Sequence, residues 1–412
     1  MQLIGSPPTS DLKNKIGNCN LSKTGFELLS SSKGDRKCVN GCRTSRKGNH
    51  LIRFKSRATV AASAIAIVAL AASTSVVAVS SANAALPSWC GPKKITMGFT
   101  DGFGGNSWRL VTTAAVREEV KLCPNVTKLY YADGQGKTDK AISDIKGMVA
   151  KGVKALVVFP DAGEAMLPAL RSAYKAGVVT VPYRVWAGGT AGKDYNIFIG
   201  SDFVLAGKLW GQWIKKNLPN GGNILRISGP AGNSQGADES KGLAQVLGSD
   251  SKYKFIGADP FEVTGWDPGK TQEVLTAAIA KYPQIDVITS DFGPSMVSAL
   301  QAAVDSGWKV PAIATSDGNV LGCFYQDNKA TQANFKMMTI STQNDHSRLA
   351  AQWAVALATG GKKPKDKAYP STLFEDSVSG KPSAVQCRKD LPGDVYLSAK
   401  MSGDAQAKLK TN

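Results

Sequence analysis

The sequence predicts an α/β protein built as two doubly wound parallel-sheet lobes. Three observations carry that expectation. Past residue 93, short apolar strands alternate with amphipathic helices. The theme runs through once and restarts near residue 203. Several strands, Ala155-Leu-Val-Val-Phe159 the plainest, are apolar on both faces, as strands covered by helices on both sides must be. A length of 412 residues suits about two such domains.

The elements follow in order. Ile95–Phe99 reads as a strand, then a Gly-rich loop leads into a helix over Ser107–Lys121. Val126–Tyr131 is strand, and Lys137–Lys151 is helix with Ile142, Ile145 and Val149 on one face. After the strand Ala155–Phe159 come a helix over 165–176 and strands Val178–Val181 and Asn196–Ile199. The second set has helices over 203–217, 236–247, 269–281 and 294–306. Its strands are Asn223–Ile227, Tyr253–Asp259, Asp286–Ser290 and Ala312–Thr315. In such sheets ligands bind at the carboxyl ends of the strands, and two lobes make those ends face a cleft.

Upstream of the lobes the chain reads as an address. Residues 1–50 are polar and aperiodic. They precede a basic stub, Leu51-Ile52-Arg53-Phe54-Lys55-Ser56-Arg57, and an Ala/Val/Ser-rich run over 58–79. Ser80-Ser81-Ala82-Asn83-Ala84 closes it as a small-x-small site, so residues 1–84 are expected to be an upstream extension plus signal peptide, cleaved after Ala84. A membrane anchor fits less well, because the run is weakly hydrophobic and no basic stop-transfer cluster follows. Translation starting at Val39 or Leu51 would give a leader of ordinary proportions. Up to residue 84, twelve lysines and arginines face three acidic residues, which is half of the formal charge of +18. Nucleic acid is therefore not the expected partner.

Cysteine and histidine usage narrows the chemistry. Only His50 and His346 are present, which leaves little room for a Ser/His/Asp triad or a His-rich metal site. His346 is expected at the surface on a polar helix start, and Lys362–Lys367 as a solvated connector. Cys90, Cys123, Cys323 and Cys387 follow the leader, an even number suited to an oxidising compartment. Of three possible pairings Cys90–Cys123 is the local one, and Cys323–Cys387 follows from it. No metal and no cofactor are expected.

The strand ends carry the candidate site. Asp101, Asn106, Trp108 and Arg109 follow the first strand, Asp161 the third, and Arg184 and Trp186 the fourth. In the second set stand Asn233, Trp266, Asp291, Asp317 and Asn319. Amides, carboxylates and guanidinium groups can each satisfy two hydroxyls at once, while Trp faces cover apolar C–H surface. That mixture suits a polyhydroxylated sugar. The loop Gly229–Ser234 lacks the Gly-Lys-Ser/Thr ending of a phosphate loop, so nucleotide is not expected. Asp267 and Pro268 also read as a helix start.

Five strings in this order resemble the ribose-binding-like branch of the periplasmic sugar-binding proteins, receptors of ABC importers with a type I periplasmic binding protein fold. They are Asn106-Ser-Trp108-Arg109, Gly152 through Pro160, Ile199-Gly-Ser-Asp202, Gly265-Trp266-Asp267 and Ala314-Thr-Ser-Asp317-Gly318. The resemblance implies that Trp108 and Asp317 touch sugar from opposite walls. It also implies departures: Tyr183-Arg184 stands where an Asp-Arg pair is common, Asp238-Glu239 where Arg is common, and Asp291-Phe292 in place of Asn-Asp. The expected lobes are 91–201 with 342–373, and 202–341 with 374–412, hinged near 201–203, 340–343 and 372–376. The implied protein is a monomeric periplasmic receptor that passes a sugar or polyol to a permease. Chemotaxis or sensing would use the same module. A transcriptional regulator of this build needs a helix-turn-helix that residues 1–84 do not offer. An exported glycosidase would need two facing carboxylates, for which only Asp101, Asp161, Asp291 and Asp317 are candidates.

Overall fold

The computed structural model describes residues 85–409, so the leader and its cleavage after Ala84 lie outside the described residues. The first lobe begins with β1 (Ile95–Asp101), α1 (Ser107–Lys121), β2 (Val126–Asp133), α2 (Thr138–Ala150) and β3 (Ala155–Val158). It continues through α3 (Leu167–Lys175), β4 (Val179–Arg184) and β5 (Ile199–Ser201). Period-two alternation splits its core between the two faces of the sheet. Met97, Phe99 and Val157 pack beneath α1 on one side. Leu156 and Val158 meet Ile145, Met148 and Leu170 on the other. Each such side chain contributes about 1.5–3 kcal/mol of burial.

The chain then passes to the second lobe. There α4 (Phe203–Asn217), β6 (Gly222–Ser228), α5 (Ser234–Leu247), β7 (Tyr253–Ile256) and the short β8 (Glu262–Val263) come first. They are followed by α6 (Pro268–Lys281), β9 (Val287–Ser290), α7 (Val297–Asp305), β10 (Ala312–Ser316), α8 (Asn319–Asn328) and β11 (Met337–Ile340). Trp210, Ile214, Leu243 and Val287 fill one face of this sheet. Leu225, Ile288, Leu300 and Ile313 fill the other. The expected strand over 253–259 stops at Ile256, because Gly257 takes a positive φ of 88° and turns the chain.

The chain returns through α9 (His346–Thr359) and β12 (Ala368–Tyr369), and crosses again to β13 (Leu373–Asp376). A short α10 (Gly403–Gln406) closes the described chain. The first sheet runs β12-β5-β4-β3-β1-β2, and its pairings are parallel. The second runs β13-β11-β10-β9-β6-β7, with β8 beside β6 and only β13 antiparallel. Cys90–Cys123 and Cys323–Cys387 are both disulfide-bonded, one in each lobe.

The tail corrects one expected boundary. Val395 still accepts the backbone N–H of Asn319 in the second lobe at 2.8 Å. Tyr396 and Met401, however, are buried in the first lobe's core with Trp108 and Val111. The Tyr396 hydroxyl lies 2.9 Å from Ser107 Oγ at the head of α1. Residues beyond Val395 therefore belong largely with the first lobe. His346 corrects another expectation: it is fully buried, 3.1 Å from Ser201 Oγ and stacked on Tyr369. Burial pushes its imidazole well below the ordinary histidine value, with Arg184 adding to the effect.

Candidate functional site

Both sheets point the carboxyl ends of their parallel strands at a shared cleft, which holds a cavity of about 570 Å³ counting its open mouth. Asn106, Trp108, Arg109, Phe159 and Arg184 line it from the first lobe. Gln235, Glu239, Trp266, Asp291 and Phe292 line it from the second. The crossing segment Ser341–Gln343 and Ser371 form its hinge-side edge.

The first wall is stiffened from behind. Asn106 caps α1 by accepting the backbone N–H of Arg109 at 3.0 Å, which sets where the next side chains emerge. Arg109 donates to Asp101 at 2.9 Å and to Asp161 at 2.6 Å, and its guanidinium lies over Phe159, 3.7 Å from the ring centroid. Burial would lower the Arg109 pKa, but the two carboxylates outweigh it and hold the group charged, above its ordinary value. Burial also drives Asp161 up to about 6 against the pull of Arg109. Arg184 occupies a left-handed backbone position, φ 69°, that swings it over Trp108, 4.4 Å from the ring centroid. It donates to Gln235 Oε1 across the cleft at 3.3 Å and to the Thr342 carbonyl at 3.4 Å. Burial and the nearby Arg109 lower its pKa to about 10, so it stays cationic at neutral pH.

The second wall is built around Trp266. Its ring lies flat against Gly229, where a Cβ would stand 2.2 Å from the indole, so only glycine fits. From there Trp266 Nε1 donates to Asp291 Oδ2 at 2.9 Å, and Ser228 Oγ donates to the same oxygen at 2.7 Å. Asp291 Oδ1 is buried without a partner. Glu239, one turn after Gln235 on α5, accepts from Gln235 Nε2 at 3.2 Å. Burial raises both acids, and the nearby Asp291 raises the Glu239 value further.

Six of the twelve expected site residues reach the cavity: Asn106, Trp108, Arg109, Arg184, Trp266 and Asp291. Asp101 and Asp161 stand behind Arg109 instead. Trp186 sits exposed outside the cavity, its backbone N–H donating to Ser234 Oγ at 2.9 Å. Asn233 caps α5 and donates to the Asp161 carbonyl at 3.2 Å, tying the lobes together. Asp317 does not face the cleft. It accepts Thr342 N–H at 3.1 Å, Ser398 N–H at 3.0 Å and Ser398 Oγ at 2.5 Å, knotting β10 to two chain crossings. Asn319 holds the carbonyls of Arg388, Leu391 and Pro392. Both were expected in the cleft because they follow an apolar strand, but the tail covers that strand end.

Sequence reasoning missed Phe159, Phe203, Gln235, Phe292 and the Thr342–Gln343 step. Gln235 and Glu239 share one helix face at i, i+4 spacing, a signal that was available. Phe159 and Phe292 stand at strand ends beside residues that were singled out. Thr342 and Gln343 follow a strand whose Met-Met-Thr-Ile sequence carries no turn signal.

Residues 98–363 match the family model described as periplasmic binding protein domain, and the chain belongs to that family. The galactofuranose-binding protein of Escherichia coli is 26% identical over 236 residues, 56% of this chain and 72% of that protein. The ribose import binding protein of Salmonella typhimurium is 24% identical over 206 residues, 50% of this chain and 66% of its own length. Among solved structures, the arabinose transporter component of Shewanella sp. ANA-3, bound to L-arabinofuranose, superposes with a TM-score of 0.58 at 22% identity. That match covers 68% of this chain and 90% of the other. A galactofuranose-binding protein superposes with a TM-score of 0.60 at 21% identity, covering 68% and 94%. These likenesses establish the two-lobed type I fold.

Proposed function

We propose that this chain is an exported solute-binding protein, not an enzyme, that captures a sugar or sugar-like polyol in the interlobe cleft. It works as a monomer and delivers its ligand to an ABC importer permease. The observation that carries the reading is the cavity's composition. Indole faces from both lobes, Trp108 and Trp266, are interleaved with the bidentate groups of Arg184, Gln235, Glu239 and Asp291. Apolar ring faces and several convergent polar groups are what a ring of hydroxyls and C–H edges requires. The names of the sugar-binding relatives and neighbours support the same class.

Capture proceeds by hinge closure about the crossings between β5 and α4, β11 and α9, and β12 and β13, with each lobe moving as a unit. Export rests on the leader, so the secreted protein should begin at Ala85, which N-terminal sequencing reads directly. Titration calorimetry against a panel of monosaccharides and polyols is the functional test. Saturable one-to-one binding without turnover is the expected result, with ligand-induced compaction in small-angle scattering. Turnover of a glycoside, or binding of none of the panel, would overturn the reading.

A further inference from the structure

The cavity's two walls differ in how their acids are paired. On the first lobe, Arg109 is fully engaged by Asp101 and Asp161. On the second, Glu239 and Asp291 are both more than nine-tenths buried, yet none of the ion pairs among the described residues includes either of them. Asp291 lines the cavity and its Oδ1 is buried without a hydrogen-bond partner, and Glu239 has only the Gln235 amide. The one guanidinium that faces them, Arg184, donates to Gln235 and the Thr342 carbonyl and makes no ion pair with either acid. A buried carboxylate is stable only when paired, richly hydrogen-bonded or protonated. Two of them on one wall make a place for positive charge.

Resting on the sugar-binding reading, we propose that Glu239 and Asp291 form an amine-recognition subsite, so that the ligand is a polyol or sugar bearing a protonated amino group. The ammonium offers three donors to an acceptor-only wall, while its hydroxyls serve Arg184 and Gln235. A sugar acid would set another anion against the pair and is excluded. Burial raises both acids when no cation is present, and the Asp291 charge raises Glu239 further, which favours a proton on Glu239. The ionisable groups facing it are Asp291 from the end of β9, Arg184 from β4 and Asp238 from its own helix. An arriving ammonium lowers the Glu239 pKa and expels that proton, which makes proton release a signature of amine binding.

The test uses the mature chain and matched triplets of ligands: neutral sugars or polyols, their amino counterparts, and the corresponding acids. Calorimetry in two buffers of different protonation enthalpy reads affinity and proton release together. The amino member should bind at least tenfold tighter than the neutral one and release about one proton, and the acid should bind at least a hundredfold weaker. In Glu239→Gln, an isosteric change checked for folding by its melting transition, the ratio of amino to neutral affinity should fall to about one and the proton release should vanish, whatever the change in neutral-ligand affinity. Equal or better binding of the neutral member by the unaltered protein would overturn the amine subsite and leave sugar binding intact. Binding by no class of ligand would instead count against sugar binding itself, and with it the subsite.

Discussion

The first lobe holds its buried acids with arginine, whereas the second holds its own with neutral donors. Asp101 and Asp161 share Arg109, Asp194 pairs with Arg171, and Asp345 pairs with Arg348. Across the cleft, Asp291 relies on Ser228 and Trp266, and Asp317 on Ser398 and the Thr342 amide. Glu375 accepts from Thr339 Oγ1 and the Gln386 amide, each at 2.8 Å, and Asp376 accepts from Trp213. The contrast matters because the two devices fail differently. Removing an arginine strands a buried charge, whereas an acid held by neutral donors can lose its charge and keep its shape.

The largest effect should come from Arg109→Leu, which leaves Asp101 and Asp161 facing each other in an apolar setting. Breaking a buried pair in this way costs about 3–5 kcal/mol, so the urea midpoint should fall sharply. A loss under about 1 kcal/mol would mean that the first lobe's acids are not held by arginine at all.

Asp317→Ala should cost about 1–3 kcal/mol, because Thr342 and Ser398 lose their acceptor, while Asp317→Asn should cost much less. Ligand affinity should change by no more than about threefold in Asp317→Asn, since the side chain does not reach the cavity (1.4 kcal/mol is tenfold). A tenfold loss of affinity there would restore the cleft-wall role that the strand-end position suggests.

The Glu375 effect is read against pH. Burial raises this group from 4.5 to about 7. The native state therefore keeps a proton that the unfolded chain gives up between those values. Its contribution to stability is full below about pH 4.5 and is lost as pH rises through about 7. Glu375→Gln should flatten the fall in stability across that window by at most about 1.4 kcal/mol per pH unit, measured by denaturation at several pH values. An unchanged slope would place the titration elsewhere.

Trp266→Phe keeps a ring on Gly229 but removes one donor from Asp291. We expect roughly twofold to tenfold weaker ligand binding, on the scale of about 0.5–1.5 kcal/mol for one hydrogen bond, with little change in stability. Unaltered affinity would show that Ser228 alone orients Asp291.

How much of this could be read from the chain depends on where the partners lie. Helix starts at Ser107 and Phe203 were legible from the alternation of strand and helix, and their caps, Asn106 and Asp202, are adjacent in sequence. The buried strand at Ala155 announced itself by composition alone. Asp161 was visible as a strand-end acid, and so was the chance that Arg109, 52 residues earlier, pairs with it or with Asp101; that it binds both at once was not. Asp317 misled because Ser398, 81 residues later, occupies it. His346 misled because its polar neighbours, Asn344, Asp345 and Ser347, are themselves buried in the hinge. A polar string was read as surface, although it is the hydrogen-bonded interior of a crossing.

The returning tail has a consequence for how the chain reaches its final form. Tyr396 and Met401 complete a core in which Phe99 and Val111 are made some three hundred residues earlier. A polypeptide made N-terminus first cannot close that core until residues 396–401 are free. Local helices and strand pairs can form early, but the long-range contact must wait. The first lobe, although it begins the described chain, is thus completed only after the second lobe's elements have been made.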